Sequence, residues 1–329
     1  AGPFANFILS IVVFAGIASW TGVARDVPVI GPVPPSVAAE TPLREGDRIL
    51  SVDGEAVETF VALREAFGGI DAGAEAVVLL EREGARLSVD LPYPNPPFVV
   101  GVRPLSSASR AGIEPGDLIV GVDGVRIGTI SALQDYVELR EGQDVTVTIR
   151  RGDALLDLTM EPRVEDVQEP DGSFDRRAII GVTVSGYLAP QTEFPGVLSA
   201  LRIGVERTYG VIATSLNGLY HIIVGDIGAE NIQGPVGIAQ ISGETASRGF
   251  VDLILLVGIL STAIGMMNLF PIPVLDGGHL LFNAWEAVTG HPPSGRALDI
   301  AMGLGLASIL SLMVFATYND LARLLSFWA

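Results

Sequence analysis

The stretch Asn268-Leu269-Phe270-Pro271-Ile272-Pro273-Val274-Leu275-Asp276-Gly277-Gly278-His279 decides how the rest of the chain is read. It closes an uncharged run of 23 residues between Asp252 and Asp276, long enough at about 1.5 Å per helical residue to cross a hydrocarbon layer of ~30 Å. A helix cannot run undistorted through Pro271 and Pro273, because each lacks an amide donor and clashes with the preceding turn. Backbone groups freed at membrane depth need partners in protein, in a water-lined cavity or in a bound extended peptide. Asp276 follows at the end of the run, where an ionisable side chain is costly and a functional role is the default reading. On spacing alone two readings stand. Asp276 is a ligand, or it is an interfacial residue capping the next helix, with Gly277 and Gly278 permitting close packing.

Two further apolar runs lie outward from this one. Ala1 to Ala24 carries no charge, and 20 uncharged residues lie between Asp299 and Asp320. The first has no basic leader and no clear small-residue cleavage site, so it reads as a retained span rather than a signal peptide. The expected spans are 1–24, 250–285 and 297–319. Residues 195–249 read as an amphipathic region at the membrane surface or on the bundle, since Thr208 to Gly225 carries Thr214, Ser215, Asn217 and His221 among its apolar residues. The lipid bilayer is the first partner implied.

The charge lies elsewhere. The 329 residues hold 38 acidic and 20 basic residues, every basic one an Arg, and 29 of the acidic residues with 15 Arg fall between Arg25 and Phe194. An acidic block of this kind excludes nucleic acid as a partner, because phosphate neutralisation needs clustered cations. The absence of Cys removes disulfides, thiolate metal sites and a Cys nucleophile.

Within the acidic block, residues 44–54 and 114–124 share six of eleven identities at an offset of 70, both ending in Val-Asp-Gly. Each is followed by a short helical pattern beginning at Thr59 or Thr129, then by a pair of strands joined through a Gly-containing turn. Two α+β domains result, 25–95 and 96–164, followed by a linker, 165–194. Their order of elements resembles the PDZ domain in its bacterial arrangement, most clearly where Ser106 to Ile113 runs into Gly116-Asp117-Leu118-Ile119. That resemblance implies peptide ends as ligands, or size screening, with Val100-Gly101-Val102 and Ile180-Gly181-Val182 having the apolar-Gly-apolar form of a carboxylate loop.

The run from Asn268 to His279 closely resembles the Leu-Asp-Gly motif of the site-2 protease family of intramembrane zinc metalloproteases. Gly2-Pro3-Phe4-Ala5-Asn6-Phe7 resembles the family's Gly-Pro-x-Ala-Asn segment, and Gly234-Pro235-Val236-Gly237-Ile238-Ala239 matches a third. The resemblance implies an α-helical membrane core, three transmembrane helices of it seen here, with two inserted α+β PDZ-like domains. It further implies that Asp276 is a ligand of Zn2+ and that Asn268, Pro271 and Pro273 lie where the substrate's unwound backbone is held. Gly277, Gly278 and His279 belong to the motif as supporting or structural residues. The implied activity is proteolysis of a single-span transmembrane substrate of the anti-sigma-factor type, in the bacterial inner membrane, with the PDZ-like domains on the periplasmic side.

The family's remaining ligands and its catalytic Glu come from His-Glu-x-x-His. The chain has three His, at 221, 279 and 291, and none is followed by Glu. The resemblance therefore implies a catalytic helix upstream of Ala1. A degenerate pseudoprotease or a non-catalytic PDZ scaffold is the rival reading.

Overall fold

With no charge and no proline beyond its first turn, Gly2–Thr21 has nothing to interrupt a helix, and in the computed structural model it forms α1. Pro3 stands in the first turn, where a missing amide costs no hydrogen bond. The structure describes residues 2–34, 38, 41–70, 74–92, 96–168, 172–186, 188–229 and 232–325. The chain forms two units, one of Ala1–Gly22 with Phe194–Ala329 and the other of Val23–Glu193.

The second unit holds the repeat. Its first copy runs β1 (Val23–Ala24), β2 (Arg48–Val52), β3 (Glu55–Ala56), α2 (Phe60–Gly68), β4 (Glu75–Arg82) and β5 (Ala85–Pro92). The second runs β6 (Phe98–Val102), α3 (Ser107–Ala111), β7 (Leu118–Val122), β8 (Val125–Arg126), α4 (Ile130–Glu138), β9 (Val145–Arg151) and β10 (Ala154–Met160). The repeated residues do the same physical work in both copies. Thr59 and Thr129 cap α2 and α4, each accepting from an amide three residues on at 3.0 Å. Asp53 and Asp123 adopt positive φ, and each accepts at 2.7 Å from an amide of the following strand, that of Val77 or Thr146. Asp47 and Asp117 are 1% exposed. Asp47 accepts from the Arg44 amide and from Nε and Nη2 of Arg82, all at 2.7 Å. Asp117 accepts from the Glu114 amide at 2.9 Å and from Arg151 at 2.7 and 2.8 Å. Each carboxylate thus closes its Gly-Asp turn and ties it to a distant strand. The hydrogen bond to the carboxylate holds the guanidinium of Arg82, and likewise of Arg151, above its ordinary pKa against the opposing effect of burial.

Residues 165–194, expected to be a linker, are instead structural. They contain most of the hairpin of β11 (Arg163–Gln168) with β12 (Phe174–Ile179), then β13 (Val182–Ser185) and β14 (Thr192–Glu193). β13 completes the second copy's sheet, in the order β10-β9-β7-β6-β13 with β8 beside β7. A few residues later Gly31 donates to Ala189 O at 2.8 Å and Gln191 donates to Val29 O at 3.0 Å, so the same segment returns to the first copy, whose sheet runs β3-β2-β4-β5. Ile180 joins the core of the second copy and Leu188 that of the first. The second copy is nested inside the first. β14 then pairs with β1.

The helical unit continues with α5 (Val197–Val224), α6 (Pro235–Arg248), α7 (Phe250–Asn268), α8 (Asp276–Thr289) and α9 (Gly295–Leu325). Among the described residues, three of its helices, α1, α7 and α9, are long and apolar enough to cross a membrane. The stretch 250–285 is not one helix: α7 stops at Asn268 and α8 starts at Asp276. Small residues let the helices approach, as at many membrane interfaces. A Cβ on Gly258 would stand 2.8 Å from the Phe14 ring, and one on Gly265 would stand 3.0 Å from that of Phe7. Ser10 donates across to Gly258 O at 3.0 Å, and Ser261 donates back to Asn6 O at 2.9 Å. Within the region 195–249, α5 lies along the bundle. A Cβ on its Gly204 would stand 2.4 Å from Ile11 O, near the middle of α1.

Asp117→Ala removes the acceptor that holds Arg151 and the 114–117 turn. Because Arg151 is about one-third exposed, the expected loss is roughly 2 kcal/mol, below the 3–5 of a fully buried pair. The measurement is a lowered urea midpoint followed by circular dichroism.

Candidate functional site

The two prolines end α7 and shape the loop beyond it. Leu269 and Phe270 close the last helical turn onto Met266 O and Met267 O at 3.0 and 3.1 Å. Past this point the chain turns on itself, with Ile272 donating to Phe270 O at 2.7 Å and Leu275 donating to Ile272 O at 2.8 Å. Part of the backbone freed by the prolines is therefore satisfied locally. Asp276 opens α8, where the amide end of the helix favours a carboxylate.

The glycine pair is what allows this loop to fold against α8. A Cβ on Gly277 would stand 2.3 Å from Phe270 O, and one on Gly278 would stand 2.3 Å from Ile272 O. Both distances are below any real contact, so neither position accepts alanine without movement of the backbone. From the other side α9 supports the loop, since a Cβ on Gly305 would stand 3.2 Å from both Pro273 Cδ and Val274 Cγ2.

Asp276 is exposed and, among the described residues, makes no hydrogen bond or ion pair. Its Oδ2 lies 2.6 Å from the position a Cβ on Gly2 would take, which places the carboxylate against the start of α1. The two motifs at 2–7 and 268–279 thus meet in space. Asn268 is half-buried at the last position of α7, Pro271 is exposed and Pro273 half-buried. His279 is exposed on the first turn of α8. The other histidines have local partners: His221 Nδ1 lies 2.7 Å from Asp226 Oδ2, and His291 Nδ1 lies 3.4 Å from Pro292 O. Among the described residues no three His, Cys, Asp or Glu side chains are grouped to hold a metal. Asp276 suits one hard oxygen ligand, and the described residues do not complete a site around it.

Asp320 was legible only as the end of an uncharged run. The structure buries it to 3% exposure, where it accepts from the Gly234 and Gly237 amides at 3.1 and 2.8 Å. It therefore caps the N-terminus of α6 from a distant helix. Asn319 adds a hydrogen bond to Ala229 O at 3.0 Å. The signal lay in the two glycines, since a Cβ at either would stand 2.7 Å from the Asp320 carboxylate.

In the repeat unit, a cleft of about 340 Å³ lies between α4 and β13, walled by Leu133, Val137, Val182 and Val184, with Arg103 and Arg177 also lining it. A second, of about 350 Å³, lies beside α2 and is lined by Val61, Phe67, Val184 and Leu188. Ile180-Gly181-Val182 opens onto the first cleft. Val100-Gly101-Val102 does not supply a free edge, because β13 pairs with it. Val184 lines both clefts.

The profile of peptidase family M50 matches residues 1–312, and the chain belongs to that family. A candidate zinc metalloprotease of Agrobacterium fabrum is 38% identical over 70% of this chain and 61% of its own length. The regulator of sigma E protease of Salmonella typhi is 31% identical over 98% of this chain and 77% of its own length. The chain spans about three-fifths of the length of the first of these relatives. A PDZ domain of an SdrC-like protein from Listeria monocytogenes matches 29% of the chain at 22% identity with a TM-score of 0.23, too low to bear on the fold, which rests on the strand order above.

Asp320→Ala removes both acceptors of the α6 N-terminus. At about 1–3 kcal/mol for orphaned buried donors, the Gly234 and Gly237 amides should exchange roughly 10–100 times faster in hydrogen-exchange mass spectrometry of the detergent-solubilised chain, with α1 and α7 unchanged.

Proposed function

We propose that this chain is the greater part of an intramembrane zinc endopeptidase, with Asp276 as its carboxylate ligand. The observation that carries this is the state of Asp276: a carboxylate at a helix start, aimed at the other family motif and free of any partner among the described residues. The N-cap position of α8 is held by Leu275, whose side chain offers no acceptor, and Asp276, one residue on, makes no hydrogen bond to the amides of that turn among the described residues. The bound zinc would supply an activated water, with a pKa near 7, and polarise the scissile carbonyl. Two nitrogen ligands and a general base are needed besides, and under this reading they come from a His-Glu-x-x-His helix outside these 329 residues.

The chain's own part is to present the carboxylate and to offer backbone. Asn268 and the segment Pro271 to Pro273 leave the helix beside Asp276. A substrate helix must also be unwound to expose a peptide bond, and a non-helical loop next to the ligand would give it hydrogen-bonding partners in a region without water. The substrate class is a single-span membrane protein, of the anti-sigma-factor type by analogy with the Salmonella relative, trimmed beforehand by another protease. The location is the bacterial inner membrane with the repeat unit on the periplasmic side. The two repeats are read as PDZ-like domains whose clefts take an extended chain by strand addition.

In the intact gene product, reconstituted in liposomes with a single-span reporter, Asp276→Ala should cut cleavage at least about a hundredfold and lower bound zinc in parallel, since even supporting residues at metal sites cost 10–100-fold. Unchanged cleavage and zinc content would remove Asp276 from the site. A zinc-free, inactive parent protein that still binds peptides would establish the scaffold reading instead.

A further inference from the structure

Asn6 stands one turn into α1, an uncharged helix long enough to cross a membrane. It is half-buried. Its backbone oxygen accepts from the Ser10 and Ser261 hydroxyls, both at 2.9 Å, whereas its side-chain carboxamide makes no hydrogen bond among the described residues. An Asn in an apolar helix commonly bonds across to a neighbouring helix. Here Ser10 and Ser261 make the bonds between α1 and α7, and Asn6 is left with two N–H donors and an acceptor unmet, a costly state away from water. α1 and α7 run antiparallel, Gly258 facing Phe14 and Gly265 facing Phe7 and Asn6, whose Cβ lies 3.1 Å from where a Cβ on Gly265 would stand. One turn further on, α7 ends at Asn268. One turn back, α1 begins at Gly2, against the Asp276 carboxylate. Helical side chains lean toward the N-terminus of their helix, so Asn6 leans toward the turn that Gly2 leaves bare. The Asn268 carboxamide also makes no hydrogen bond among the described residues. Asn6, Asn268 and Asp276 thus gather from three helices at one end of the α1–α7 seam, with no hydrogen bond between them.

We propose that the Asn6 carboxamide binds the backbone of the substrate segment that is unwound at Asp276. This rests on reading Asp276 as the carboxylate ligand. A carboxamide carries the same donor and acceptor as a peptide group. Its N–H donates to a substrate carbonyl while its oxygen accepts from a substrate amide, as one strand does with the next. A helix in hydrocarbon unwinds only where the groups it frees find partners. Asn6 supplies a donor and an acceptor from α1, across the seam from Asn268 on α7. Being uncharged, it does so without placing an ion in an apolar helix. A residue that reads backbone is indifferent to the side chains beside the cut, with the exception of proline, which has no amide to donate.

The test uses the intact gene product in liposomes with a single-span reporter. Asn6→Leu keeps a side chain of similar size and suits a membrane helix. Its kcat/KM should fall about ten- to a hundredfold, the loss of two hydrogen bonds, while bound zinc and the thermal transition in circular dichroism stay as in the parent. Asn6→Gln retains the carboxamide and should recover part of the rate. In protein stripped with EDTA, where nothing is cut, fluorescence transfer from a labelled reporter should show Asn6→Leu binding it about five- to tenfold more weakly than the parent does. An unchanged kcat/KM in Asn6→Leu, beside an inactive and zinc-depleted Asp276→Ala, would overturn the role of Asn6 and leave Asp276 standing. Loss of zinc from Asn6→Leu would also overturn it, by making Asn6 a support of the metal site. Full cleavage and zinc content in Asp276→Ala would overturn the ligand reading and this inference with it.

Discussion

A backbone polar group in hydrocarbon must find a partner, and that constraint organises the helical unit around the break between α7 and α8. Pro271 and Pro273 make the break unavoidable. The loop survives because turns within it satisfy part of its backbone, and because Gly277, Gly278 and Gly305 let two helices come close enough to enclose it. Asp276 then emerges at a fixed point, at the head of α8 and against α1. The exposed carboxylate is a product of the same geometry that interrupts the helix.

Glycine and buried carboxylates recur as paired devices throughout the molecule. Asp320 needs the bare backbone of Gly234 and Gly237 to reach the amides of α6. Asp47 and Asp117 follow glycines at positive φ in their turns. In each case a side chain would either block the acid or strain the turn, so the Gly and Asp positions form one feature. The repeat unit adds a second economy: residues 180–193 finish both copies, so two cores are sealed by one short segment.

Much of this was legible in the sequence. The three uncharged runs, the repeat at an offset of 70 and the break at Pro271 all come from local patterns, and local physics decides them. What escaped was long-range. β13 and the segment around Leu188 are short, interrupted by Gly181, Gly186 and Pro190, and carry too few alternating residues to read as strands. Their pairing is with residues about 80 and 160 positions earlier, and no local periodicity reports that. Asp320 was opaque for the same reason, since its partners lie on a helix that begins with Pro235. Asp276 was visible as a residue of interest, but its approach to Gly2 at the start of α1 is long-range and no local pattern reports it.

The pairing of β1 with β14 brings Val23 and Glu193 side by side. For the helical unit, the whole acidic insertion therefore closes like a tight turn, and its length adds little to the entropy of joining α1 to α5. A unit attached through adjacent ends can be lengthened, exchanged or lost without rethreading any helix. Changes of length or sequence in the acidic unit are thereby uncoupled from the threading of the helices, which stays the same whatever lies beyond the two-stranded stem.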